Sequence, residues 1–549
     1  MIRLLNKYKY FFLILVMTGC KKTLNLTPQD QISDASFWKT AGHFQLAAND
    51  FYYGLQEVPQ YIDINSDIAF GAGANAVSNG SYLPSASSTV WDNSYTQIRA
   101  INYLLFKAPG SNLGTAIDRW VGEALFFRAY YYWKLMKSFG GVPKIDKVLD
   151  VTSKELYTPR SSQADMIDFI LSDLDSAVNK LPKQSGLTSD EIGRVTQGAA
   201  LALRARAALY EGTWEKYHGG GNGSKYIDIA IAAAEQLVAS NEYALYTDQG
   251  ANSYKYLFIL QGDDSKEVIL ARRYYANRIV HNWTRELWFN YMVPTKNMAD
   301  MYLANDGLPI TQSSQFQGYN TLTSEFQNRD PRMSMTFIVP GSTIFFEGGL
   351  WQPTFPGFSG SNATHTGYMI RKFLDETLDA TQFKGAYDFK EFRYAETLLI
   401  LAEALYEKNG SISDQDLSRT INVVRSRVNM PPLTNAFVQA NGLDMLTEIR
   451  RERTVELSFE GYRRDDLRRW KTAEAVMPQA IRGVRFVGTE YQQKYPNLVI
   501  GTDIQVDNNG FIVAEPAASR QFLPKHYLDP LPLQQIQLSK GTLTQNTGW

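Results

Sequence analysis

The amino-acid sequence predicts a mainly α-helical fold that carries long irregular loops and short strands. Apolar residues recur at steps of three and four through both halves of the chain, which is typical of helices with one buried face. Two stretches, 61–92 and 245–385, are instead rich in Gly, Pro, Asn, Ser and aromatic residues, with short β-like pieces such as EVIL and TFIVP. We expect these stretches to form ordered loops on the helical scaffold, where binding residues tend to lie.

The N-terminal segment has the order of a secretory signal peptide. Basic residues up to Lys9 precede the apolar run FFLILVM, and Thr18 and Gly19 then lead to Cys20. The apolar run is shorter than the roughly 20 residues that span a bilayer. A signal peptide that ends in a small residue followed by Cys resembles the lipobox of bacterial lipoproteins, which implies removal of residues 1–19 and a lipid on Cys20. The alternative is an ordinary signal peptide with an incidental cysteine.

Composition limits the class of protein further. Cys20 is the only cysteine among 549 residues, so we expect no disulfide and a fold that depends on core packing. The formal net charge is −1, from 55 basic and 56 acidic residues, which argues against a nucleic-acid partner because such a partner requires a basic face. Aromatic residues make up 13% of the chain, and they can serve either as core or as exposed stacking platforms.

Four helices are predicted in the first half of the chain. The first lies within AIDRWVGEALFFRAYYYWKLMKSFGGVP, where apolar residues recur from Trp120 to Leu135 before Gly140 ends the helix. The others lie within SQADMIDFILSDLDSAVNKLP, TQGAALALRARAALYEGTW and YIDIAIAAAEQLVASNEYALY. Small residues followed by an aromatic residue one or two turns later are typical of tetratricopeptide-type hairpins, whose period is about 34 residues. The spacing here is irregular, so the sequence predicts degenerate hairpins.

The second half of the chain adds more helices after residue 385. They are predicted within EFRYAETLLILAEALYEK, DLSRTINVVRSRVNM and MLTEIRRERTVELSFEG. The run from Arg450 to Arg469 alternates arginines with carboxylates at helical spacing. We interpret this run as buried arginine–carboxylate bracing of the scaffold, with an anionic-ligand site as the less favoured alternative.

Several segments, in order, resemble the SusD/RagB family of outer-membrane nutrient-uptake lipoproteins from Bacteroidetes. The resemblance covers nearly the full mature chain and rests on TLNLTPQDQISDASFWKT, GEALFFRAYYYWKLMKSFGGVP, RDPRM, EFRYAETLLILAEALYEKNG, INVVRSRVNMP, RRERTVELSFEGYRRDDLRRW and YLDPLPLQQIQLSKGTLTQNTGW. The chain departs from the family at Lys21 and Lys22, where many surface-exposed relatives carry acidic residues, and at Asn25, which replaces the usual Asp.

The resemblance implies a SusD-like fold and a role in uptake. Residues 1–19 are then the signal peptide, 20–220 an N-terminal helical region and 221–549 a C-terminal region, the two forming one compact body. The C-terminal region divides into the loop-rich 245–385, the helical 390–475 and an irregular tail. The family also implies an outward-facing lipoprotein, anchored to the outer membrane, which captures oligosaccharides for a SusC-like TonB-dependent transporter without cutting them.

The sequence contains no convincing metal, cofactor or catalytic motif. DINSD, from Asp63 to Asp67, mimics the start of a calcium loop, but Ile68 and Ala74 occupy the positions of the required Gly and Glu. The five histidines show no zinc-binding spacing, and GFSGS at 357–361 breaks the nucleophile-elbow pattern. We therefore expect no metal, no cofactor and no catalytic residue, with a divalent-ion site of another kind at 63–67 as the alternative.

Glycan binding requires flat aromatic faces with polar side chains at their edges. The aromatic candidates in the loop-rich stretches are Tyr82, Trp283, Trp288, Trp351 and Phe355, and the polar candidates beside them are Asn79, Asn282, Arg285 and Gln352. Packing in the core is as good an explanation for any one of these aromatic residues. Trp91 is expected to belong to the scaffold.

Two other functions stay open at this point. A peptide-capturing lid of a RagB-type importer would suit a long cleft lined by polar groups. A surface glycoside hydrolase would need a pair of carboxylates about 5–10 Å apart, which sequence cannot identify.

Overall fold

The computed structural model describes residues 34, 36–55, 57, 62–346, 349–351, 364–377 and 383–549, and it confirms the predicted mainly α-helical fold with short strands. The α-helices are α1 (Ala41–Asp50), α2 (Ala76–Asn79), α3 (Thr89–Lys107), α4 (Asp118–Phe139), α5 (Gln163–Lys180), α6 (Gln197–His218), α7 (Gly223–Ala239), α8 (Ser253–Tyr256), α9 (Trp283–Trp288), α10 (Lys296–Met301), α11 (Pro331–Thr336), α12 (Tyr394–Asn409), α13 (Asp414–Arg419), α14 (Ile421–Ser426), α15 (Asn435–Ala440), α16 (Met445–Glu456), α17 (Arg463–Arg469), α18 (Ala473–Val476), α19 (Glu490–Lys494) and α20 (Leu533–Leu538). In the part of the chain that is described, none of these helices is both long and apolar enough to cross a membrane.

The strands are short and pair in twos. They are β1 (Ala69–Phe70), β2 (Val268–Arg272), β3 (Val293–Pro294), β4 (Ile344–Phe346), β5 (Gly349–Trp351), β6 (Phe389–Arg393), β7 (Ile481–Arg485) and β8 (Phe511–Glu515). The antiparallel pairs are β1 with β3, β2 with β6, β4 with β5 and β7 with β8. The β2–β6 pair joins the loop-rich stretch to the start of α12, and it includes an irregular register between Val268 and Ala271.

The long helices pack side by side around one hydrophobic core. Helix α4 packs on α5, and α6 packs on α7, as the predicted hairpins require. The stripe predicted in α4, from Trp120 to Leu135, is buried. Gly212 of α6 permits the close crossing with α7, because a Cβ there would lie 2.7 Å from Ile227 Cγ1 and 3.1 Å from the Gly223 carbonyl oxygen.

Local signals fix the ends of the long helices. Ser162 caps α5: its hydroxyl accepts the Asp165 amide, and the Asp165 side chain accepts the Ser162 amide. The predicted helix that continues to Tyr246 is too long, because α7 ends at Ala239 and Asn241 adopts a left-handed φ of 54°. The predicted helix in DLSRTINVVRSRVNM is divided into α13 and α14, because Thr420 has φ −127° and ψ −95°.

The arginine-rich run forms buried ion pairs, as predicted, and the pairs reach other elements of the core. Glu456 of α16 accepts from Arg427 at 2.6 Å, from Arg393 at 2.7 Å and from Arg332 at 3.0 Å. Burial acts to raise the pKa of Glu456, but the three guanidinium groups outweigh it and hold the pKa well below its usual range. Arg393 ends β6, so this cluster anchors the strand pair that leads to the candidate site.

Two neighbouring carboxylates extend the same cluster. Glu452 accepts from Arg332 at 2.6 Å and from Arg425 at 2.8 Å. Glu460 accepts from Lys372 at 2.7 Å. Every one of these side chains is at most 2% exposed, so each charge depends on its partners rather than on water.

Candidate ligand-binding face

The chain leaves β2 through a short turn that presents a tyrosine ring to solvent. Tyr275 and Ile279 exchange backbone hydrogen bonds of 2.9 and 3.1 Å, so residues 276–278 form a tight protruding tip. Asn277 takes a left-handed φ of 63°, which asparagine tolerates better than most residues. Tyr275 is 48% exposed, whereas its neighbour Tyr274 is buried. The turn therefore separates one core tyrosine from one surface tyrosine.

Helix α9 follows this turn, and a pair of backbone hydrogen bonds holds residue 281, just before the helix, to residue 385. The amide of His281 donates to the Gly385 carbonyl at 2.9 Å, and the amide of Gly385 donates back at 3.1 Å. Glycine is needed at residue 385, because a Cβ there would lie 2.4 Å from the His281 ring. Burial lowers the pKa of His281 to about 4, and its Nε2 lies 3.1 Å from the Tyr387 carbonyl oxygen. His281 is thus a neutral structural residue at pH 7.

The outer side of α9 carries polar groups between exposed rings. Asn282 and Arg285 are half-buried and lie three residues apart, on neighbouring positions of the helix surface. The Asn282 Oδ1 accepts the amide of Phe383 at 3.3 Å, and the ring of Phe383 is 62% exposed. Tyr291, whose amide donates to the Glu286 carbonyl, is also exposed. We call Tyr275, Asn282, Arg285, Tyr291 and Phe383, with the turn at 276–278, the α9 face.

Two predicted tryptophans lie beneath this face. Trp283 is 1% exposed and packs in the core with Leu287 and Phe373. Trp288 is also buried, against a separate small cluster that includes Ile344. Neither indole presents a ring face to solvent, so their expected role in stacking a sugar does not fit this conformation. The two indoles are buried because α9 packs against two apolar clusters, one that includes Phe373 and one that includes Ile344.

Two other predicted residues hold the C-terminal segment to the loop before α3. The Tyr82 hydroxyl donates to Asp529 Oδ1 at 3.3 Å, and its ring centroid lies 4.8 Å from that of Trp549. Burial, followed by the nearby Asp529 carboxylate, raises the pKa of Tyr82 to about 12. The Asn79 amide donates to Glu515 Oε1 at 2.8 Å. Both side chains are occupied in tertiary contacts, which favours a structural role for them.

The remaining predictions fall on parts of the chain that are not described. Gln352, Phe355 and the lipidation site Cys20 lie outside the described residues, as does the side chain of Trp351. The backbone of Trp351 pairs with that of Ile344, whose side chain packs near Trp288. The hairpin that carries Trp351 therefore lies against the cluster beneath the α9 face. Trp91 is buried, which confirms its predicted place in the scaffold.

Sequence reasoning missed the three exposed rings of the α9 face. Tyr275, Tyr291 and Phe383 all lie in or next to the predicted loop-rich stretch, but no periodic pattern distinguishes them from its other aromatic residues. One signal was present for Tyr275. It stands two residues before Asn277 in RRYYANR, and asparagine favours a tight turn because it tolerates the left-handed backbone region.

A pair of buried carboxylates, Asp263 and Asp388, lies beneath the start of the turn. Asp388 accepts the amide of Tyr274 at 2.8 Å and lies 3.0 Å from Arg273, while Asp263 accepts from Lys390 at 2.6 Å. Burial, followed by repulsion from Asp263, raises the pKa of Asp388 to about 7. These contacts brace the start of the turn. Among the described residues, no group of three His, Cys, Asp or Glu side chains is placed to hold a metal ion.

A separate groove of about 880 Å³ lies between α3, residues 143–158 and α20. Its walls include three exposed aliphatic side chains: Val151, which is 94% exposed, Leu156 and Leu538. Hydrogen bonds from the amides of Leu533 and Gln534 tie α20 to residues 85–86, so the groove wall is continuous with the loop before α3. An exposed aliphatic surface of this kind is typical of a site that contacts another protein.

Comparison with known proteins gives a consistent set of matches. A sequence model described as "SusD family" matches residues 240–549, and one described as "Starch-binding associating with outer membrane" matches residues 78–209. A SusD-like protein of Formosa agariphila is 25% identical over 502 residues, which cover 85% of this chain and 92% of that protein.

Solved structures agree with these sequence matches. A SusD-like carbohydrate-binding protein of Bacteroides fragilis is 25% identical, with a TM-score of 0.75 over 92% of this chain and 99% of that one. A second SusD-like protein of Bacteroides fragilis is also 25% identical, with a TM-score of 0.76 over 95% of this chain and 100% of that one.

Proposed function

The chain belongs to the SusD family, and from this membership we propose that it captures oligosaccharides at the cell surface and passes them, uncut, to a SusC-like TonB-dependent transporter. Two findings support this proposal. The sequence model that matches residues 78–209 is described as associating with the outer membrane, and one similar solved structure is named as a carbohydrate-binding protein. In this proposal a lipid on Cys20 anchors the protein to the outer membrane, facing outward.

The observation that carries the proposal is the α9 face. The exposed residues Tyr275 and Tyr291 lie just before and just after α9, Phe383 is hydrogen-bonded to Asn282, and the half-buried Asn282 and Arg285 lie at the start of and within the helix. Aromatic rings pack on the apolar faces of sugars, and amide and guanidinium groups bind hydroxyl groups at the edges. Exposed rings close to polar side chains are typical of a ligand-binding surface.

Removing either of two rings should weaken glycan binding without unfolding the protein. We expect Tyr275→Ala and Phe383→Ala each to raise the Kd about tenfold, or ~1.4 kcal/mol, because each removes one stacking surface. The measurement is affinity electrophoresis in gels that contain the polysaccharide that retards the wild type.

Phe106→Ala is the matched control for this measurement. Phe106 is 64% exposed on α3, outside the α9 face. We expect its mobility to equal that of the wild type. If Tyr275→Ala and Phe383→Ala were both retarded as strongly as the wild type, the α9 face would be excluded as the binding site. An equal loss of retardation in Phe106→Ala would exclude it as well.

Binding without cleavage is the second part of the proposal. The carboxylates Asp263 and Asp388 are buried. Asp388 accepts the amide of Tyr274 at the turn, and Asp263 accepts the amide of Asp388, which supports a bracing role for both. Incubation of the purified protein with the polysaccharide that it binds should therefore release no new reducing ends. Turnover that a single carboxylate substitution abolishes would instead establish a glycoside hydrolase, and competition by peptides would establish a peptide-capturing lid.

The groove between α3 and α20 is the surface that we assign to the transporter. Its exposed side chains combine three aliphatic groups, Val151, Leu156 and Leu538, with charged residues such as Arg99 and Asp150, a mixture that is typical of a protein interface. We expect Val151→Asp to weaken co-purification with the transporter at least about tenfold, because the charge would have to be desolvated in the interface.

A valine elsewhere on the surface provides the control for the groove. Val499 is 56% exposed, and Val499→Asp introduces the same charge away from α3 and α20. We expect Val499→Asp to co-purify normally and both variants to keep wild-type glycan binding. Normal recovery of the transporter with Val151→Asp would exclude the groove.

A further inference from the structure

The arginines at the start of the turn are already engaged by carboxylates. The guanidinium group of Arg273 lies 2.8 Å from Asp264 and 3.0 Å from Asp388. Arg272 donates to a backbone carbonyl of residue 52 at 2.9 Å and lies 3.9 Å from Glu57. Their positive charges are therefore balanced within the protein.

Arg278 and Arg285 differ from these two residues. Within the described ranges, neither guanidinium group takes part in an ion pair. Arg278 is exposed at the tip of the turn. Arg285 is half-buried, and its guanidinium carbon lies 5.2 Å from the centroid of the Phe289 ring, a stacking contact that holds the planar group in place. The α9 face thus presents two guanidinium groups that form no ion pair with the described residues.

The carboxylate of Glu286, next to Arg285 on the helix, offsets one of these two positive charges, so Arg278, Arg285 and Glu286 together leave one positive charge on the face. Glu286 is half-buried, and burial raises its pKa above the usual value, although a contact from the Asn282 amide at 3.5 Å acts in the other direction. The whole chain has a formal net charge of −1, so a positively charged face is not a consequence of the overall charge of the protein. Such a local field attracts anions to that face.

We propose that the ligand of the α9 face is an anionic glycan, whose carboxylate or sulfate groups are bound by Arg285 and Arg278. This inference rests on the proposed function. A guanidinium group donates two parallel hydrogen bonds to a carboxylate or a sulfate, which gives both affinity and orientation. Tyr275 and Phe383 then pack on the sugar rings between the charged groups, and Asn282 binds a hydroxyl.

Matched polymers test the charge of the ligand directly. Affinity gels would contain polygalacturonate or its methyl ester in one arm, and dextran sulfate or dextran in the other. We expect the anionic polymer of at least one arm to bind about tenfold or more tightly than its neutral counterpart. The arm that shows the difference identifies the group as a carboxylate or a sulfate, and raising the salt concentration should reduce the difference.

Arginine variants locate the charge on the protein. We expect Arg285→Gln to weaken binding of the anionic polymer about tenfold and Arg278→Gln about threefold. Arg285→Gln should weaken binding of the neutral counterpart by a clearly smaller factor, because glutamine still binds a hydroxyl group but carries no charge. Arg485→Gln is the control, because Arg485 is exposed on β7 and has no ion pair in the described part of the chain. We expect it to bind as the wild type does.

The outcomes separate this inference from the function on which it rests. Equal binding of neutral and anionic polymers would overturn the anionic ligand and leave glycan capture standing. An equal loss in Arg485→Gln and Arg285→Gln would also overturn it, because the attraction would then be non-specific. Failure of the wild type to bind any polysaccharide, neutral or charged, would contradict both.

Discussion

Glu456→Gln is expected to lower the free energy of unfolding by about 3–5 kcal/mol at pH 7.5. The substitution keeps the size of the side chain and removes its charge. Three guanidinium groups, those of Arg332, Arg393 and Arg427, then lose a shared buried partner. Such groups cannot recover the loss from water, because each side chain is 1% exposed. Urea denaturation followed by circular dichroism measures the difference.

Glu235→Gln provides a matched control for this substitution. Glu235 pairs with Arg419 on the surface, where the two side chains are 40% and 37% exposed. An exposed pair contributes little, so we expect Glu235→Gln to change the free energy of unfolding by less than about 1 kcal/mol. Equal losses in the two variants would show that the buried cluster has no special role in the fold.

The same comparison has a defined pH dependence. The pKa of Glu456 is depressed in the folded protein, so its contribution to stability is present above the ordinary value of 4.5 and is lost as the pH falls below it. The gap between wild type and Glu456→Gln should narrow by about 1.4 kcal/mol per pH unit below that value. A gap that stays constant down to pH 3 would contradict the depressed pKa.

Trp283→Ala is expected to destabilise the protein by about 3–5 kcal/mol, the usual cost of removing a buried tryptophan. Trp283 is 1% exposed in the core beneath the α9 face. Any loss of glycan binding in this variant should therefore follow unfolding of the face rather than loss of a stacking surface. Thermal and urea unfolding, measured beside the affinity gel, distinguish the two causes.

Tyr275→Ala is the variant to compare with Trp283→Ala. Its ring is 48% exposed, so its removal should change stability by less than about 1 kcal/mol while it weakens binding. Tyr275→Ala should therefore lose binding at nearly unchanged stability, whereas Trp283→Ala should lose stability. Wild-type stability of Trp283→Ala together with lost retardation would contradict the burial of this residue and restore its role as a stacking surface.

The sequence was sufficient to predict the long helices and the buried charges. In α4, the spacing from Trp120 to Leu135 determines which side of the helix faces the core, because the helical repeat acts over more than four turns. In the run from Arg450 to Arg469, the alternation of charges indicates buried ion pairs, but only three of its seven arginines, Arg451, Arg453 and Arg469, have a carboxylate partner nearby in sequence. The helical pattern is local and needs no knowledge of distant residues, whereas the partners of the other arginines, such as Glu407 and Asp67, lie far along the chain.

The candidate site could be predicted only as a region. Helix α9 has six residues, which is too short for a periodic pattern to show which side is buried. The burial of Trp288 depends on Ile344 and Met369, which lie far along the chain. Tyr82 likewise contacts Asp529 across 447 positions. Exposure of an aromatic residue in a loop is decided by such distant contacts, and the sequence alone does not reveal them.

A crystal structure of the lipid-free protein with a bound oligosaccharide tests the central claim most directly. The ligand should be the repeating unit of the polysaccharide that gives the strongest retardation. We predict a sugar ring packed on Tyr275 or Phe383, with polar groups of the ligand on Asn282 and Arg285. An oligosaccharide bound in the groove between α3 and α20, with the α9 face empty, would contradict the account.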